Sequence, residues 1–132
     1  LIIPEKWIEE SKEDLKFDRE NFENNFGIAM KIAKWLERRE KVVSEMIELM
    51  KRKKEVERKL FEYYKTEYDL VVNTKEEIKL LIQSDSEFMK IDEEVMKCEQ
   101  KLKFIDKILD ALKLKSWEVK YYLEWKKYFE GV

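Results

Sequence analysis

Apolar residues recur along this chain at intervals of three, four and seven, the spacing that gathers side chains on one face of an α-helix. Over the first ~18 residues, Trp7, Ile8, Leu15 and Phe17 mark a short amphipathic helix. From about Asp18 a long helical pattern begins. One seam runs through Ile28, Ile32, Trp35, Val42, Met46, Leu49, Val56, Leu60 and Tyr63. A second lies beside it: Phe22, Phe26, Ala29, Ala33, Leu36, Val43, Ile47, Met50, then Phe61 and Tyr64. Together they are wider than a two-stranded coiled coil uses, so the pattern predicts packing against two neighbours.

The periodicity breaks at YDLVVNTKEE, where Val71 and Val72 favour extended backbone and Thr74 with Glu77 has capping-box spacing. A short helix or turn carrying Ile78, Leu81 and Ile82 follows. Ser84 with Glu87 repeats the cap signature and is expected to open a second long helix. There the seam is an unbroken heptad: Phe88, Ile91, Val95, Cys98, Leu102, Ile105, Leu109, Leu112. Trp117, Tyr121, Trp125 and Tyr128 then form an aromatic stripe at helical spacing.

The expected fold is all-α, an elongated protein of long helices with coiled-coil-like seams, joined by an irregular connector. Residues 1–132 read as one helical domain, with N-terminal helices over 1–83 and C-terminal helices over 84–132. Two helices leave stripes this wide partly uncovered, so assembly into a ring-like homo-oligomer is expected.

Composition agrees. Charged residues and hydrophobic residues each make up 44% of the chain, which leaves only Gly27, Gly131 and Pro4 as strong turn formers. Seventeen aromatics argue against disorder. A lone cysteine, Cys98, suits a reducing interior, and on the apolar seam it reads as a packed thiol rather than a nucleophile. No apolar run reaches the ~18 residues of a membrane span, and the opening LIIP is too short for a secretory signal, so a soluble intracellular protein is expected. The chain has no histidine and no Gly-rich phosphate loop. Asp92, Glu93 and Glu94 read as a solvated helix face rather than metal ligands. No enzyme activity, metal or cofactor is expected.

Charge changes the picture more. The formal net charge is only −2, yet residues 51–59 hold six bases and two acids, while 1–24 and 84–100 each carry −4. The run KRKKEVERK places Lys51, Arg52, Lys53, Lys54, Arg58 and Lys59 just ahead of Tyr63 and Tyr64. Lys53 and Lys54 fall where the seams expect apolar residues. They either snorkel to water or meet a polyanion. In a ring of identical subunits the clusters would form a cationic belt, costly unless phosphates occupy it. Cations that follow a phosphate backbone, with tyrosine faces that accept unstacked bases, describe single-strand binding over 51–68. Each tyrosine has ordinary core packing as its alternative reading.

Several short motifs fall in the order and spacing of a known family: KWL at Lys34–Leu36, KK at Lys53–Lys54, YY at Tyr63–Tyr64, LDALK at Leu109–Lys113, KS at Lys115–Ser116 and FEG at Phe129–Gly131. The chain resembles the UvsY family, recombination mediators of T4-like bacteriophages, over nearly its whole length. The resemblance implies an all-helical homo-oligomer, hexameric or heptameric, that binds single-stranded DNA in the cytoplasm of the infected bacterial host. It implies two protein partners, the RecA-like phage recombinase and the phage single-strand binding protein, and no membrane. Its function would be to promote loading of the recombinase onto covered single strands in recombination, repair and recombination-dependent replication. DNA binding carries over to Lys53, Lys54 and Arg58. Oligomerisation carries over to the C-terminal part: Phe88, Ile91, Val95, Leu102, Ile105, Leu109, Leu112, Trp117 and Tyr121. The chain departs from the family in three places. Leu60 stands where a second base precedes the tyrosine pair, Trp117 stands where a glycine follows Lys115–Ser116, and the connector near 68–74 looks shorter. Two other readings fit the residues: a helical scaffold that binds only protein, and an anionic-lipid binder.

Overall fold

The computed structural model describes residues 2–16, 25–66 and 75–130, and among these every regular element is an α-helix. They are α1 (Glu5–Asp14), α2 (Asn25–Thr66), α3 (Lys75–Gln83) and α4 (Ser86–Glu130). The all-α expectation and the two long helices are therefore present. The readings at Phe17, Phe22 and Val71–Thr74 lie outside the described residues, and the helical start near Asp18 does too. No described helix is long and apolar enough to cross a membrane.

The residues group into two compact units: 1–42 with 100–132, and 43–99. Helices α2 and α4 each contribute to both units.

In the first unit, the core is Trp35, Val42, Ile105, Ile108, Leu109, Leu112 and Val119. Trp35 is fully buried, with Trp7 and Phe104 edge-on at ring-centroid distances of 6.3 and 6.2 Å. Helix α1 is held to it by polar contacts. The Trp35 indole donates to Asp14 Oδ2 at 2.8 Å, and Lys34 Nζ reaches the same oxygen at 2.6 Å. Arg38 pairs with Glu10 and lies over the Trp35 ring at 4.6 Å. That Arg38 hydrogen bond holds the Glu10 carboxyl below the usual glutamate range against the opposing effect of burial, with Arg38, Lys34 and Lys6 charge adding to it. The last turn of α1 exposes carbonyls with no partner inside the helix. Lys31 Nζ donates to the Asp14 carbonyl at 3.4 Å and Lys115 Nζ donates to the Leu15 carbonyl. Burial, with Lys31 nearby, pushes the Lys115 ammonium below the ordinary lysine range.

In the second unit, Ile78 and Ile82 of α3 pack with Phe88 of α4, and Val56, Leu60, Phe61 and Tyr64 of α2 close over them. Ile91, Val95 and Cys98 continue the buried line along α4. The α4 cap differs from the sequence expectation. Asp85 Oδ1 accepts from the backbone N–H of Glu87 at 3.0 Å and of Phe88 at 3.1 Å, so Asp85 is the N-cap. Ser84 instead donates its hydroxyl back to the Leu80 carbonyl at 2.6 Å, closing α3.

The two seams of α2 part company. Trp35 and Val42 are buried and Ile28, Ile32, Met46, Leu49, Val56 and Leu60 half-buried, so the first seam is the inner face up to Leu60. Tyr63, its last member, is exposed. On the second seam Ala29, Ala33, Leu36, Ile47 and Met50 are exposed, whereas Val43, Phe61 and Tyr64 are half-buried. The chain covers one stripe of α2 and only parts of the other.

Candidate nucleic-acid interface

Because α2 advances about 100° per residue, the basic run at 51–59 is distributed over three faces rather than one. Lys53 turns inward. Its Nζ lies 2.6 Å from Asp92 Oδ1 and 5.3 Å from the centre of the Phe88 ring, which ties α2 to α4. Asp92 is thus a structural partner to a lysine, and no group of described residues is arranged to hold a metal.

A second face carries Lys51, Lys54, Arg58, Phe61 and Lys65, at steps of three and four. Lys51 lies 3.6 Å from Glu48, Arg58 lies 3.3 Å from Glu62, and Lys65 Nζ lies 5.9 Å from the Phe61 ring centre. The third face carries Arg52, Lys59 and Tyr63, with Lys59 held by Glu55 at 3.4 Å. All these bases are exposed, and neither Arg52 nor Lys54 forms an ion pair with a described residue. The ion pairs made along the helix are solvent-exposed and contribute roughly 0.3–0.5 kcal/mol each, so an incoming phosphate displaces them at small cost.

The tyrosine pair is also split. Tyr63 is 45% exposed, whereas Tyr64 packs on the Ile78–Ile82–Phe88 cluster. Their rings meet edge-on at 5.3 Å. Of the two, Tyr63 is the more exposed. It stands about 160° around the helix from Phe61, away from the second basic face.

Helix α3 completes a concavity that the sequence did not suggest. Lys54, Glu57, Arg58 and Phe61 of α2 face Lys75, Lys79 and Ile82 of α3 across a cleft of about 470 Å³. The cleft holds four cations against the single acid Glu57, over apolar Phe61 and Ile82. Lys75, Lys79 and Ile82 stand at i, i+4 and i+7, a visible helical face. Their position opposite Lys54 and Arg58 depends on tertiary packing and leaves no local signal.

The C-terminal residues fall into two groups. Phe88, Ile91, Val95, Ile105, Leu109 and Leu112 are buried within a single chain, and Leu102 is half-buried. Trp117 and Tyr121 are exposed and stack with ring centres 6.1 Å apart. Leu114, Trp125 and Tyr128 are likewise exposed along α4. Trp117 lies inside the continuous helix α4, which makes no turn there.

A family model described as the recombination, repair and ssDNA binding protein UvsY matches residues 10–132. The chain belongs to the UvsY family. Its fold is that of the bacteriophage T4 recombination mediator protein UvsY, seen in three crystal lattices. The type II lattice gives a TM-score of 0.84 at 24% identity, covering 98% of each chain. Type I gives 0.82 at 23%, covering 94% of this chain and 98% of that one. Type IV gives 0.80 at 23%, with 94% and 96% covered. Among curated proteins, none matches the chain in sequence. Membership of the UvsY family places the chain among recombination, repair and single-strand-binding proteins.

Proposed function

We propose that this chain is a recombination mediator, which binds single-stranded DNA through the basic faces of α2 and promotes loading of a RecA-like recombinase onto strands covered by single-strand binding protein. The observation that carries the reading is the cationic surface at 51–65, exposed and incompletely paired in a chain whose net charge is negative. Lys51, Arg52, Lys54, Arg58 and Lys59 contact phosphate in this reading, and Tyr63 offers a face for stacking. Lys53 acts indirectly, by fixing α2 against α4, and Tyr64 supports the helix from the core.

Self-association is part of the reading. The exposed stripe of Leu114, Trp117, Tyr121, Trp125 and Tyr128 suits a contact between copies, in a closed homo-oligomer of hexameric or heptameric size. Repeating the cationic face around such an assembly gives tight overall binding from individually weak contacts, which a mediator can release one by one. The chain carries out no catalytic step in this account, and it works in the cytoplasm of the host.

Titration of a labelled oligothymidylate, followed by anisotropy at several salt concentrations, tests the binding half. Affinity is expected to fall steeply with salt and to weaken in Lys54→Ala/Arg58→Ala. A loading assay on strands precoated with single-strand binding protein tests the mediator half. A wild-type chain that leaves the strand unbound, or gives no gain in recombinase loading, overturns the corresponding half.

A further inference from the structure

The cleft beside α2 has a second cationic wall. Lys75 and Lys79 form no ion pair with a described residue, and they line a concavity whose opposite side already carries Lys54 and Arg58. Like charges facing one another across an open cleft repel, and Glu57 offsets only part of that charge. Other acids are close in sequence: Glu55 and Glu62 on α2, Glu76 and Glu77 on α3. Of these, Glu55 is engaged with Lys59, and Glu62 with Arg58 itself, so the cleft cations that form no ion pair with a described residue are Lys54, Lys75 and Lys79. The lining therefore fits a polyanion rather than a cation or a neutral ligand, and Phe61 and Ile82 add an apolar floor.

We propose that α3 is the second jaw of the single-strand site. Lys75 and Lys79 bind the sugar-phosphate backbone from the side opposite Lys54 and Arg58, and Phe61 receives a sugar or an unstacked base between them. The inference rests on the single-strand reading of α2 given above and extends it to a helix outside the basic run. A two-sided grip selects single strands on geometric grounds. In a duplex the inner side of each backbone is covered by its bases and the opposite strand, so a protein wall reaches phosphates from outside only. An isolated strand entering the cleft meets cations on both sides.

The full-length chain is titrated with labelled oligothymidylate and, separately, with a duplex of equal length, across a range of salt concentrations. Lys75→Ala/Lys79→Ala changes exposed side chains, and its helicity is checked by circular dichroism. It is expected to weaken single-strand binding severalfold and to lower the slope of log K against log salt by about 0.7 for each phosphate no longer neutralised. Duplex binding should change much less. Glu57→Gln should tighten single-strand binding. If Lys75→Ala/Lys79→Ala binds like the parent while Lys54→Ala/Arg58→Ala is weakened, α3 is no jaw and the α2 reading stands. Equal losses on single strand and duplex overturn the two-sided grip. A parent chain that ignores the oligonucleotide removes the α2 reading and this one with it.

Discussion

The indole nitrogen of Trp35 donates a hydrogen bond to Asp14 across 2.8 Å, between a fully buried ring and a carboxylate with little exposure. This bond joins α1 to the core of its unit, and it places a charge against the most buried aromatic group there. Lys34 shares the same oxygen, so the carboxylate is neutralised where it lies. Asp14→Ala is expected to leave the indole N–H without a partner and to cost about 1–3 kcal/mol in urea unfolding. Combining it with Trp35→Phe, which removes the donor, should cost less than the two single changes added together. Strict additivity would show that the bond contributes nothing to docking α1.

Acid should loosen a second contact that docks α1, the Glu10–Arg38 pair. Glu10 has its folded pKa lowered, chiefly by its hydrogen bond to Arg38, relative to an ordinary value of 4.5. A lowered carboxylate stabilises the fold above its unfolded pKa, and that stability disappears as pH falls through the folded value. Stability measured by urea should therefore drop below about pH 4.5 more in the parent than in Glu10→Gln. Parallel pH curves for the two proteins would remove Glu10 from the account.

The helical architecture was legible because seam periodicity needs no tertiary information: the line from Phe88 to Leu112 lies on one face of α4. What covers that face was not legible. A stripe of given width looks the same whether a neighbouring helix or another copy packs on it, and here the chain covers the heptad line itself while leaving Leu36, Ile47 and Met50 open. Capping shows the same limit on a smaller scale. Ser84 and Asp85 are both good caps by residue type, and only geometry separated them. At the candidate site the basic run was visible but its sorting was not. Lys53 looked like its neighbours until Asp92, distant in sequence, took its charge. Lys75 and Lys79 were invisible because nothing local states which helix α3 faces.

The two groups of C-terminal residues should respond differently to mutation. Leu112 is wholly buried, so Leu112→Ala is expected to cost roughly 2–5 kcal/mol of subunit stability through the cavity it leaves. Trp117→Ser/Tyr121→Ser touches exposed rings. It should leave the urea midpoint of a dilute sample nearly unchanged and reduce the particle mass seen by light scattering. An unchanged mass in that double variant would remove these rings from any contact between copies.

Lys53 and Lys54 are adjacent in sequence and opposite in role. Lys53 is half-buried against Asp92 and Phe88, whereas Lys54 is exposed at the cleft. Lys53→Ala removes one partner of the Asp92 pair and should lower unfolding stability, by about 1 kcal/mol for a half-buried pair. Its oligonucleotide affinity should fall only as far as α2 loses its anchor, so Lys53→Ala/Asp92→Ala should bind about as well as Lys53→Ala alone. Lys54→Ala should do the reverse, weakening binding and lowering its salt dependence while the urea midpoint holds. The decisive comparison is the salt slope. A lysine on phosphate takes part in counterion release and a lysine on aspartate does not, so the slope should drop in Lys54→Ala and stay at the parent value in Lys53→Ala. The same drop in both would return Lys53 to the DNA-binding face.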